Sequence, residues 1–176
     1  QGGQSTIVTS SLNKQWDSGL TLNTSYTHQH ITEVNPGNTS TAEAGFFDEV
    51  TINRNSPLEG RAFYEIEHRF VLNLGYEREF MPGYKTYINL FWERRSGRPF
   101  SWTLGHEAKG DFGDQRANTR VYLPYLPENA NDPAFDFSLL SYEQIMDIAQ
   151  TAGVAQFAGD YIPKYSGTQP WQTTLD

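Results

Sequence analysis

The chain has 176 residues, a net charge of −8, no cysteine, 37% hydrophobic and 14% aromatic residues. Phosphate neutralisation needs clustered Lys and Arg, and Arg94-Arg95 is the only adjacent basic pair, which argues against nucleic acid as a partner. Without cysteine there is no disulfide, thiolate metal site or thiol nucleophile. The absence of a run of about 18 apolar residues excludes a transmembrane helix but not a barrel, whose strands need about 9–11 alternating residues.

Residues 5–16 read as a strand with weak alternation through Val8, Leu12 and Trp16. Asp17-Ser18-Gly19 is a tight turn in which Gly supplies positive φ. Residues 20–31 form the next strand, with Leu20, Leu22 and Tyr26 on one face and Thr21, Asn23, Ser25 and Thr27 on the other. From about 34 to 60 the pattern dissolves into Asn, Pro, Gly, Thr and Glu, with apolar spots at Phe46-Phe47 and Val50 to Ile52. Such a length exceeds a hairpin turn, and long connections in compact chains are usually functional or mobile.

The central hairpin comprises strands 62–80 and 84–102 about the turn Met81-Pro82-Gly83. One face reads Phe70, Leu72, Leu74, Tyr76 and Ile88, Leu90, Trp92; the other reads Arg69, Asn73, Glu77, Glu79 and Lys85, Asn89, Glu93, Arg95. Pairing about Pro82 sets Leu74 opposite Leu90, Tyr76 opposite Ile88, Leu72 opposite Trp92 and Glu79 opposite Lys85. A slip of one residue would set Leu against Asn throughout, so this register is well specified.

A second long connection spans about 103–168. Val121 to Leu123 reads as a short strand stopped by Pro124. Ser141 with Gln144 makes a capping box for a helix over 141–152, with Ile145, Ile148, Ala149 and Ala152 as its apolar stripe and Gly153 at its end. Another strand starts at 171. Short turns at 17–19 and 81–83 alternate with the two long connections, so an antiparallel meander puts all short turns at one end and all long loops at the other. Outer-membrane barrels sort their loops this way. Trp16, Phe80 and Tyr84 flank the short turns while Tyr26, Phe70 and Trp92 lie nearer the long loops, as two aromatic girdles would.

An ordered set of pieces from Leu20 to the end carries a family resemblance. It comprises Tyr64-Glu65-Ile66-Glu67-His68-Arg69-Phe70, Leu74-Gly75-Tyr76-Glu77, Ser96-Gly97-Arg98-Pro99-Phe100-Ser101, Val121-Tyr122-Leu123-Pro124, Ala158-Gly159 and Pro170-Trp171 through Leu175-Asp176. This set resembles the C-terminal part of the barrel of a TonB-dependent outer-membrane receptor, in the branch with a carboxypeptidase-regulatory-like N-terminal domain. Gly110-Asp111-Phe112-Gly113-Asp114-Gln115 departs from the calcium-loop-like stretch of such relatives, and Lys164-Tyr165 replaces a more usual Arg-Asn pair.

The resemblance implies a mainly all-β fold, an antiparallel meander forming one segment of a transmembrane β-barrel of about 22 strands with a plugged lumen. Residues 1–176 then form a single partial barrel segment with long external loops and one short helix. It also implies an outer-membrane location and transport of a bulky substrate rather than enzyme activity. The expected partners are the lipid bilayer, the remainder of the barrel and plug, and an inner-membrane energy-coupling protein reached through regions outside this chain. No cofactor is implied.

Candidate ligand contacts at the external mouth are Phe46, Phe47, Trp102 and the segment from Ser141 to Gly153. Arg69 and Arg95 fall opposite each other on the lumen face, where Glu65, Glu67 and Glu93 supply carboxylates; the reading is a charge network, with a ligand role as the alternative. His28 and His30 share a face but have no third ligand in sequence reach, and read as a polar pair at the rim rather than a metal site. Asp111, Asp114, Asp132 and Asp136 lack the spacing of a calcium loop. No catalytic set, P-loop or dinucleotide fingerprint is present. The competing reading is a soluble, secreted β-sandwich that binds carbohydrate or protein, favoured by the acidic charge and a mean hydropathy of −0.62.

Overall fold

The computed structural model describes residues 2–35, 37, 40–42, 45, 49–53, 55–104 and 121–176. The fold is mainly antiparallel β-sheet with one short α-helix among the described residues. The strands are β1 (Ser5–Gln15), β2 (Leu20–Glu33), β3 (Gly60–Arg61), β4 (His68–Met81), β5 (Tyr84–Arg95), β6 (Pro99–Phe100), β7 (Gly167–Thr168) and β8 (Gln172–Leu175); the helix is α1 (Tyr142–Thr151). The chain divides into two compact units. A sheet unit holds Gly2–Thr32, Arg61–Pro99 and Thr168–Asp176, and a second unit holds Glu33–Gly60 and Phe100–Gly167.

In the sheet unit the strand order is β1-β2-β4-β5-β8. The β4–β5 ladder pairs Leu74 with Leu90, Tyr76 with Ile88, Leu72 with Trp92, Arg69 with Arg95 and Glu79 with Lys85, the register that alternation about Pro82 predicts. A bulge between Glu79 and Met81 absorbs the closing turn. The same phase carries through β2, where Leu22 meets Leu74 and Tyr26 meets Phe70, and into β1 and β8. β1, β2, β4, β5 and β8 therefore contribute to the same two faces.

The expected strands over 62–80 and 84–102 run shorter than their alternation. Over 62–67 the chain leaves the ladder: the Ala62 N–H donates to Ile31 O at 2.9 Å and Glu65 turns back onto Ala62 O at 3.1 Å. Glu65 is 1% exposed, its Oε2 accepting from Ile31 N at 2.5 Å while Oε1 accepts from Arg61 Nε. A buried carboxylate with these partners anchors a turn, so it is not the carboxylate neighbour of Arg69 and Arg95 that alternation suggests. At the other arm β5 stops at Arg95, and Ser96 N donates to His68 O at 2.8 Å.

The two long connections themselves make up the second unit, with a core of Leu126, Ile145, Ala149, Val154 and Ile162. The predicted capping box is present: Gln144 N donates to Ser141 Oγ and Ser141 N donates to Gln144 Oε1 at 2.9 Å. Gly153 follows at φ +72, ending the helix. Ile145 and Ala149 point into the core, but Ile148 is 59% exposed, so the buried stripe is narrower than the sequence pattern. Val121 to Leu123 makes a parallel bridge to Thr51 rather than a full strand: Thr51 N donates to Val121 O and Leu123 N to Thr51 O.

Two turn glycines differ in what surrounds them. Both Gly19 and Gly83 have positive φ, but a Cβ on Gly19 would lie 2.0 Å from the Glu77 carbonyl oxygen, whereas one on Gly83 meets nothing within 4 Å. Gly83→Ala therefore costs only the left-handed penalty of about 1–2 kcal/mol, and Gly19→Ala costs that plus displacement of a ladder carbonyl. Denaturant midpoints followed by tryptophan fluorescence test this ranking, which equal losses at both positions contradict.

Candidate functional site

The sheet presents two chemically opposite faces. The first gathers Leu12 of β1, Leu20, Leu22 and Tyr26 of β2, and Phe70, Leu72, Leu74 and Tyr76 of β4. Ile88, Leu90 and Trp92 of β5 and Leu175 of β8 complete it. The opposite face aligns Thr21, Gly75 and Asn89 in one row, Asn23, Asn73 and Phe91 in the next, then Ser25, Val71 and Glu93. Large apolar residues of the first face stand open: Ile88 is 58% exposed and Leu12 58%.

Aromatic clusters close both ends of the apolar face. At one end Tyr26 stacks on Phe70 with centroids 4.7 Å apart, and Tyr26 Oη lies 2.9 Å from His68 Nδ1. His68 in turn stacks on His28 at 5.1 Å and lies parallel to Trp171 at 6.1 Å, while the Arg94 guanidinium sits 5.2 Å over the Trp171 ring. At the other end Arg78 lies 5.9 Å over Phe80 and donates to Tyr76 Oη at 3.2 Å, and Lys14 lies 6.0 Å over Trp16. From Phe70 to Phe80 along β4 the rise is about 34 Å at ~3.4 Å per residue, or about 26 Å in a strand tilted by ~40°.

On the polar face Arg69 Nε bonds Glu93 Oε1 at 3.0 Å and Arg95 Nε bonds Gln172 Oε1 at 3.0 Å. Lys85 Nζ bonds Glu77 Oε1 at 2.8 Å. Glu67, a second expected neighbour of the arginine pair, bonds Arg61 Nη2 at 2.9 Å instead. Trp102 packs against the second unit's core and edge-on to Phe100 at 5.3 Å. Phe46 and Phe47 lie outside the described residues, as do Asp111 and Asp114. His28 Nδ1 is 3.1 Å from Glu67 O, and His30 Nδ1 is 3.9 Å from Glu65, so the two imidazoles face different partners. Asp132 accepts from Glu128 N, Ala134 N and Tyr125 Oη at 2.8–2.9 Å, which holds its carboxyl below the usual range, and Asp136 accepts from Ser138 N. Among the described residues no group of three or more His, Asp or Glu is placed to hold a metal ion.

The second unit has a polar knot that no local pattern announces. The fully buried Lys164 ammonium donates to Val34 O at 2.9 Å and to Glu49 Oε1, joining segments 130 and 115 residues apart in sequence. Gly60 makes room for it, since a Cβ there would lie 2.9 Å from Lys164 Cβ. Buried Glu33 leaves Oε1 without a hydrogen-bond partner. Burial raises the Glu49 carboxyl above its ordinary value; Lys164 opposes the shift and Glu33 adds to it. Burial, helped by Glu49 and Glu33, pushes the Tyr165 hydroxyl up to about 12.

No family model, curated protein or solved structure matches this chain.

Lys164→Met removes the buried cation that pairs with the half-buried Glu49 carboxylate and is expected to destabilise the second unit by about 3–5 kcal/mol. Limited proteolysis mapped to residues 121–167 reads that loss, and an unchanged cleavage rate contradicts the knot. The Glu49 shift sets a pH sign as well. A folded carboxyl that holds its proton more tightly than the unfolded one makes stability fall as pH rises from 4.5 through the raised value. The same proteolysis across pH is expected to show protection decreasing over that window.

Proposed function

We propose that the chain forms part of the β-barrel of an outer-membrane TonB-dependent receptor that transports a bulky substrate. The observation that carries this reading is the two-faced sheet: one open apolar face bounded at both ends by aromatic clusters, and one hydrogen-bonding face of Asn, Thr and paired charges. The spacing of the clusters, about 26 Å at a usual strand tilt, is close to the ~25 Å apolar band of barrel proteins. On this reading Leu72, Leu74, Ile88 and Leu90 meet acyl chains, and Asn73, Asn89, Glu93 and the Arg69–Arg95 row line the lumen. The chemistry is passage of a solute past the polar face, powered through parts of the receptor outside this chain, with no catalytic step.

A soluble sandwich requires a second sheet over the apolar face, and among the described residues the second sheet is only the two-stranded pair β6-β7. The two readings differ at Leu74 and Asn73, adjacent residues on opposite faces. In the complete receptor Leu74→Arg is expected to cost about 2–4 kcal/mol near the bilayer midplane, and Asn73→Arg much less. Folding titrations into lipid vesicles read both values. Equal tolerance at the two positions overturns the assignment of faces.

A further inference from the structure

The charges of the sheet are segregated by sign as well as by polarity. In β1, β2, β4, β5 and β8 the ladder register places Lys14, Arg78 and Arg94, with His28 and His68, on the apolar face. The strand carboxylates Glu77, Glu79 and Glu93 all fall on the other face, where Lys85 and Arg69 pair with Glu77 and Glu93. In a chain of net charge −8, an apolar face whose only strand charges are cationic is the reverse of the average.

Arg78 and Arg94 stand towards opposite ends of that face, whereas Lys14 falls in the row of Leu22, Leu74 and Leu90. Lys14 and Arg78 lie over Trp16 and Phe80 near the short turns, and Arg94 lies over Trp171 at the opposite end. All three are exposed, and among the described residues no carboxylate pairs with any of them. The charged heads themselves lie over the ring faces, so a cation at the border of the apolar surface is held there by an aromatic partner while it stays exposed.

We propose that these margins bind phosphate-bearing lipid headgroups, through Arg78 at one rim and Arg94 at the other. The inference rests on the membrane-facing reading of the sheet and adds its lipid preference. The ligand is an anionic headgroup whose acyl chains lie on the leucine band, because the cations border that band and do not line a pocket for a free anion. Guanidinium donors match phosphate oxygens, and a nearby anionic surface attracts each such cation.

The test reconstitutes the complete receptor in nanodiscs of phosphatidylcholine alone and of phosphatidylcholine with phosphatidylglycerol, and follows thermal unfolding. The wild type is expected to unfold at a higher temperature in the anionic discs. The double variant Arg78→Gln, Arg94→Gln is expected to lose most of that difference, while the polar-face variant Lys85→Gln keeps it. Added inorganic phosphate should not reproduce the shift. An equal anionic gain in wild type and double variant, or a gain supplied by phosphate alone, overturns the headgroup site while leaving the membrane reading intact. Failure of the wild type to enter either disc overturns both.

Discussion

The backbone ladder between β4 and β5 is the constraint on which the other features of the sheet depend. It sets Leu74 against Leu90 and Asn73 against Phe91, and β2 and β8 inherit its phase. A slip of one residue along β5 would carry Lys85 and Glu93 to the apolar side and Ile88, Leu90 and Trp92 to the polar side. On the proposed membrane reading, a Lys or Arg moved to the lipid side costs up to about 2–4 kcal/mol at the midplane and less near the interfaces, so the wrong register is penalised. The bulge at Glu79–Met81 and the close fit of Gly19 against Glu77 then fix how the strands enter their turns.

The hairpin was legible in sequence because its information is local and periodic. Alternation over Phe70 to Tyr76 and Ile88 to Trp92, with a turn between, leaves one register that matches like with like. The helix was legible for a similar reason, since Ser141 and Gln144 are three residues apart and both halves of the capping box form. Alternation alone overstated the strands at 62–67 and 96–102. Glu65 satisfies the period of a polar strand face, yet its carboxylate is drawn out of the ladder to meet Ile31 N and Arg61, a demand that only tertiary structure reveals.

The second unit was least legible, and the reason is sequence distance. Its two segments are poor in regular periodicity, and the group joining them, Lys164, finds its acceptors at Val34 and Glu49. A lysine in a polar stretch carries no sign that it is to be buried. The sequence pattern therefore reads as two long loops where the chain builds a small core around Leu126, Ile145 and Ile162. Trp102, a candidate mouth contact by its position, is drawn into packing against that core. The rim cluster had the same obscurity: Trp171 reaches His68 and Phe70 only because β8 pairs with β5 in one particular phase.

The edges of the sheet bear on the same question as its faces. β1 runs Ser5–Gln15 and pairs with β2 along its whole length, while its other side has no strand beside it among the described residues. At the opposite edge β8 covers β5 from Trp92 to Arg95, with Phe91 bonded to Asp176, and leaves the outer side of Tyr84 to Leu90 without a strand. Long edges are a hazard that sheets ordinarily blunt with bulges, prolines or short strands, and β1 is long, regular and free of proline. Closure into a barrel gives both edges strand partners at once, and immersion in lipid covers the apolar face without a second sheet. Covering the face alone would leave the edges open, and pairing the edges alone would leave the leucine band in water. A barrel in a bilayer satisfies both requirements with one architecture, which is why the edge geometry and the face chemistry favour the same proposal independently.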